Sequence, residues 1–91
     1  MIARYRVESG GRTLGYVLEL TFPTPALRRY FRVEDVKFQD VGFITDLGLA
    51  YRFRPHAPEP IHVATGPMER NLQALFETNE AVTLAPVEPG R

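Results

Sequence analysis

Leu49, Tyr51 and Phe53 alternate with Ala50, Arg52 and Arg54 in the stretch from Gly48 to Pro55. Successive side chains of a β-strand point to opposite faces, so this pattern predicts a strand with large apolar groups on one face and two guanidinium groups on the other. The same alternation opens the chain. Ala3, Tyr5 and Val7 share one face, and Arg4, Arg6 and Glu8 share the other. After the turn signal Ser9-Gly10-Gly11-Arg12, Leu14, Tyr16, Leu18, Leu20 and Phe22 alternate with Gly15, Val17, Glu19 and Thr21. Two alternating runs around such a turn predict an antiparallel hairpin. Taking the larger apolar residues of each strand as the buried set turns Arg4, Arg6, Arg52 and Arg54 outward, with Arg29 and Arg32 joining them. On that assignment Phe53→Ala costs about 3–5 kcal/mol and Arg52→Ala under about 1 kcal/mol.

The remaining pattern is shorter-ranged. Pro23-Thr24-Pro25 ends the second run, and Ala26 to Tyr30 is expected to form a helical turn or a loop over one end of the sheet. Phe31 to Phe38 reads as a strand in which Phe31 and Val33 differ in parity from Val36 and Phe38. A bulge near Glu34-Asp35, or a bend between two short strands, reconciles them. Gln39 to Gly42 reads as a turn, followed by strands over Phe43 to Leu47 and Leu49 to Arg54. Pro55, Pro58 and Pro60 predict an extended, polyproline-like spacer, and Ile61 to Thr65 predicts a short strand. Gly66 as N-cap, Pro67 at N1 and Glu69 at N3 announce a helix whose Met68, Leu72, Leu75 and Phe76 form one apolar stripe. Asn79 suits the left-handed residue after its end. A last strand starts at Ala81.

The order β-β-β-β-β-β-α-β gives the fold class: α+β, mostly β, a strongly bent antiparallel sheet or partly open small β-barrel of about six to seven strands with one helix near the C-terminus. The glycine turn leading into Leu14-Gly15-Tyr16-Val17 resembles the opening hairpin of small barrel domains such as the PRC barrel, over that short stretch. Residues 1–88 are expected to form one domain and 89–91 a frayed tail.

Composition narrows the classes. The 91 residues are 44% hydrophobic and 24% charged, with no cysteine and a formal net charge of +0. Disulfides, thiolate metal sites and cysteine nucleophiles are excluded. No apolar run reaches bilayer-spanning length, and Met1 to Arg6 lacks a signal-peptide core, so a soluble cytoplasmic protein without membrane contact is the expectation. The basic set is ten Arg against the single Lys37. A balanced charge argues against nucleic acid as the main partner.

Candidate chemistry is sparse. Arg4, Arg6, Arg32, Arg52 and Arg54, with Tyr30 and Tyr51 for stacking, could form a surface for phosphate, carboxylate or single-stranded RNA. Cross-strand pairing of those arginines with Glu8, Glu19, Glu34 and Asp46 is the competing account, and it weighs more. His56, Glu59 and His62 are the candidate metal ligands, but a loop and a strand would have to bring them together. No nucleophile elbow or phosphate loop is present, no cofactor is implied, and no catalytic residue is assigned. The aromatic residues outnumber what a small core hides. A non-enzymatic protein-interaction module that self-associates, or serves as a small subunit of an assembly, is therefore expected. A nucleic-acid-binding barrel and a small metal-dependent enzyme using His56 and His62 stand as alternatives.

Overall fold

The computed structural model describes residues 2–21 and 28–87. The expectations for Phe22 to Leu27, and for the tail from Glu88 on, fall outside them. The elements are β1 (Ala3–Ser9), β2 (Arg12–Thr21), β3 (Arg29–Asp35), β4 (Asp40–Thr45), β5 (Leu49–Arg52), β6 (Ile61–Thr65), α1 (Met68–Leu75) and β7 (Thr83–Pro86). The strands form one antiparallel sheet in the order β6-β5-β4-β3-β2-β1-β7. It curves but stays open, with β6 and β7 at opposite edges, so of the two architectures expected the bent sheet is the one adopted.

The β1–β2 hairpin forms on the two-residue turn Gly10-Gly11. Both glycines have positive φ (56° and 80°), as a type I′ turn requires. Ser9 pairs with Arg12 and Glu8 with Thr13, but Val7 pairs with Gly15, so Leu14 is an extra, bulged residue. Without the bulge, Val7 would face Leu14, and Leu14, Tyr16, Leu18 and Leu20 would share the face of Val7. With it, every side chain beyond Leu14 changes face. Val41 is skipped in the same way between β3 and β4, and Val63 between β5 and β6. Leu14, Val41 and Val63 all pack against the core. Each bulge thus adds one aliphatic side chain to the buried face.

That face carries Val7, Val17, Val33, Ile44 and Ala50, closed over by Leu72, Leu75 and Val82. The strand residues are small or β-branched because the helix supplies the bulk. Phe76 lies against Gly15, where an added Cβ would overlap the Glu34 carbonyl oxygen and stand 2.8 Å from the ring. The expectation that the largest alternating residues are buried is therefore wrong for β2 and β5. Tyr16, Leu18, Leu20 and Tyr51 lie on the far side, while Arg52 lies on the helix side. Phe53 follows Tyr51 outward and is 42% exposed.

β3 ends earlier than expected. The Asp35 carboxylate accepts the backbone N–H groups of Lys37 (2.8 Å) and Gln39 (3.0 Å), building a turn in place of further strand. Val36 and Phe38 are exposed, and Phe38 has a φ of 63°. A register shift follows Val33, but its extra residue is Val41 on β4 and not a residue of β3 near Glu34-Asp35 as expected. The Pro55–Pro60 segment is turned rather than extended. His56 has a φ of 64°, and the Ala57 N–H points to the Arg54 carbonyl at 3.4 Å.

α1 starts one residue later than expected, with Pro67 as its N-cap in extended backbone. Glu69, in the first turn, accepts the Val82 N–H (3.1 Å) and ties the approach to β7 down. The helix stops at Phe76 in a Schellman arrangement, Thr78 N–H to Gln73 C=O (3.0 Å) and Glu77 N–H to Ala74 C=O (3.4 Å). Glu77, with a φ of 54°, takes the left-handed place expected for Asn79. No basic residue lies in the last turn. Arg52 supplies the positive charge from β5, donating to the Ala74 carbonyl and, at 3.5 Å, to that of Leu75.

Asn71 fixes the other end of the helix. It is 1% exposed, and its amide donates to the Gly48 and Gly66 carbonyls at 3.0 and 3.1 Å, clasping the β4–β5 turn to the β6–α1 loop. Asn71→Ala is expected to lower the unfolding free energy by about 1–2 kcal/mol. Urea denaturation showing a change under about 0.5 kcal/mol would mean that the clasp contributes nothing.

Candidate interaction surface

α1 packs on β4, β5 and β6 on one side of the sheet. No described element covers the other side. Pairing aligns its side chains in rows. One row reads Arg4, Leu18, Arg32, Phe43, Tyr51, His62, and the next begins Arg6, Tyr16, Glu34, Asp40. Leu20, Tyr30 and Thr45 form a third. Aromatic contacts knit the rows together. Phe43 stacks on Tyr51 with centroids 5.1 Å apart, Phe53 tilts onto Phe43 at 5.8 Å, and His62 lies 5.6 Å from Tyr51. At the other end Phe38 stacks on Tyr16 at 5.2 Å. The left-handed backbone of Phe38 swings the ring back over the strand.

The predicted arginines do not act as one set. Arg4, Arg6 and Arg32 lie on the open face, as expected, together with Tyr30; Tyr51, expected on the buried face, joins them, and Arg52 is on the opposite face beneath the helix end. Arg54 is exposed past the end of β5. Most have carboxylate partners within the chain. Arg6 meets Glu8 (3.6 Å), Arg29 meets Glu19 (3.1 Å), Arg28 meets Asp46 (3.2 Å) and Arg52 meets Glu77 (3.4 Å). Arg32 grips Asp40 through two nitrogens, at 2.7 and 3.0 Å. That hydrogen bond raises the guanidinium pKa above its already high ordinary value, so Arg32 is charged at every working pH.

Arg4 differs. Its guanidinium carbon lies 4.5 Å above the Tyr16 ring and 5.4 Å from that of Phe38. Its Nε is buried without a hydrogen-bond partner, and it has no carboxylate partner among the described residues. Beside the Arg32–Asp40 pair, Tyr30, Phe43 and Phe53 complete an open, apolar cleft of about 320 Å3.

His56, Glu59 and His62 do not converge. Among the described residues no group of three or more His, Asp or Glu side chains could hold a metal ion. His62 instead meets the Thr65 hydroxyl at 2.6 Å. No helix among the described residues is long and apolar enough to cross a membrane.

Sequence reasoning missed Tyr16, Leu18, Leu20, Phe43 and Phe53 as surface residues. It set Arg4, Arg6 and Arg32 outward and named Tyr30 and Tyr51 for stacking, while placing Tyr51 on the buried face. The signal for the missed set was present in the size rule itself: a core under a helix that brings Leu72, Leu75 and Phe76 favours β-branched and small residues below it, here Val7, Val17, Val33, Ile44, Ala50 and Gly15. Compared with known proteins, the chain matches no family model, no curated protein and no solved structure.

Proposed function

We propose that the chain is a non-enzymatic protein-interaction module that self-associates, or joins an assembly as a small subunit, through the open face of its sheet. The observation that carries this reading is the sheet face of Tyr16, Leu18, Leu20, Phe43, Tyr51 and Phe53, which no described element covers: Phe53 is exposed and the other five are half-buried. Tyrosine, phenylalanine and arginine are enriched in interfaces and lysine is depleted. Contiguous apolar surface of this kind marks a contact site on a soluble domain. Five of the nine described arginines pair with carboxylates of the chain, and the net charge is zero, which weakens the nucleic-acid alternative.

Sedimentation equilibrium at micromolar concentration tests the reading. A concentration-dependent mass above that of the 10.3 kDa chain is expected. Phe43→Ser should lower the association constant at least tenfold with the fold retained. A strict monomer with an unreactive sheet face would refute self-association.

A further inference from the structure

We infer that the occupant of the open face is a second copy of this chain, packed face to face about a two-fold axis, with Arg4 of each protomer paired to Glu34 of its partner. The inference rests on the interaction reading above and adds the partner, the packing mode and the charged contacts.

The two edges of the sheet are closed to strand addition. Val87 donates its N–H to the Arg4 carbonyl (2.9 Å), so by alternation Ala85 and Thr83 also turn inward, and Leu84 and Pro86 turn their backbone outward. Pro86 has no N–H, which leaves Leu84 as the only outward donor of β7. The opposite edge, β6, is interrupted by the Val63 bulge and preceded by Pro60. Short, proline-bearing and bulged edges resist pairing with another chain. Association therefore falls to the face.

The face suits a copy of itself. Seven strands about 4.8 Å apart and about 20 Å long give it a projected area of about 650 Å2. This is close to the roughly 800 Å2 of accessible surface that each partner contributes to a standard interface. Its charges are largely satisfied within the chain by the Arg6–Glu8 and Arg32–Asp40 pairs. Two groups remain. Arg4 lies over Tyr16 and Phe38 with no acceptor among the described residues, and Glu34 makes no hydrogen bond or close ion pair among them, its charge acting on Arg32 only at longer range. Arg4 is opposite Leu18, and Glu34 is opposite Tyr16. Two strand spacings and one row separate them, about 12 Å along a diagonal that crosses β2 between Tyr16 and Leu18. A two-fold axis lying across that midpoint in the plane of the interface exchanges the two positions. Each Arg4 then meets the other protomer's Glu34, both pairs form at once, and Tyr16 and Leu18 pack at the centre. Such an isologous contact closes on itself as a dimer. Contact with the stacked Tyr16 and Phe38 rings lowers the freedom Arg4 loses on pairing.

Charge reversal on the full chain tests the inference, read by sedimentation equilibrium. Arg4→Glu and Glu34→Arg should each weaken dimerisation at least tenfold, because each places like charges together twice. Mixing the two single variants, or combining both changes in one chain, should return affinity to within about threefold of the original. Circular dichroism and thermal melting establish that each variant is folded. If a reversal fails to fold, Arg4→Gln and Glu34→Gln take its place, with a loss of several-fold expected for each and no further loss for the pair. A dimer that ignores both reversals would overturn the inference and leave the interaction reading standing. A wild-type chain that stays monomeric would overturn the inference and self-association together, and leave only the small-subunit form of the interaction reading.

Discussion

Replacing Arg52 with alanine is expected to lower the unfolding free energy by about 2–3 kcal/mol, and replacing Phe53 by only about 1 kcal/mol, the reverse of what side-chain size suggests. Arg52 reaches from β5 to the last turn of the helix and donates to the Ala74 and Leu75 carbonyls, with Glu77 3.4 Å away. Its side chain is only 25% accessible, so removal leaves helix-end carbonyls without a donor and opens a gap beside Leu75. The Glu77 carboxylate is largely exposed, and losing that pair adds little. Phe53 keeps 42% of its surface in solvent, and its truncation gives up only part of its contact with Phe43. Arg52→Lys should recover less than half of the loss, since a single ammonium does not reproduce the forked guanidinium. Chemical denaturation of the three variants measures all of this. Phe53→Ala proving costlier than Arg52→Ala would put the faces of β5 the other way round.

Gly15→Ala is expected to cost about 3 kcal/mol, a large share of the stability of a domain this small. A methyl group there would overlap the Glu34 carbonyl oxygen and press on the Phe76 ring at 2.8 Å. The carbonyl belongs to the neighbouring strand, so relief requires β2 and β3 to separate. A double-mutant cycle with Phe76→Ala divides the two causes. Removing the ring should relieve about 1 kcal/mol of the Gly15→Ala penalty and leave the strand–strand part. Full relief would make the ring the sole constraint, and a Gly15→Ala protein as stable as the original would show that the β2–β3 contact is not held at this spacing.

Both predictions concern which side of a strand is buried, and there the sequence was least legible. The order of strands and the position of the helix could be read directly, because alternation, the Gly10-Gly11 turn and the 68-72-75-76 stripe are local signals. The parity conflict between Val33 and Val36 signalled a break there, but what resolves it is the Asp35 turn and not an extra residue in β3. Leu14 gave no such warning. It continues the alternation of Tyr16, Leu18 and Leu20 without a break, yet it is skipped in the pairing of Val7 with Gly15. Parity within a strand fixes two faces, but only pairing with a neighbour decides which of them is inside.

The candidate surface divides in the same way. Arg4, Arg32, Tyr30 and Tyr51 were identifiable as a group of arginines and aromatics, and their competition with nearby carboxylates was identifiable too. Which carboxylate each arginine takes depends on register. Asp40 reaches Arg32 because the Val41 bulge shifts β4 by one residue, and Glu34 then acts on that guanidinium only at longer range.

By itself the sequence determined an α+β sheet protein with one late helix, no cysteine chemistry and balanced charge, since these depend on composition and on spacings of a few residues. The tertiary structure alone decided that the bulky side of β2 and β5 faces outward, that Arg52 caps the helix, and that Arg4 and Glu34 stand on an open face without a close ion pair among the described residues. Those outcomes depend on a one-residue bulge and on the volume the helix fills. Neither is a property of any single strand, and both exist only once the strands are paired and the helix is docked.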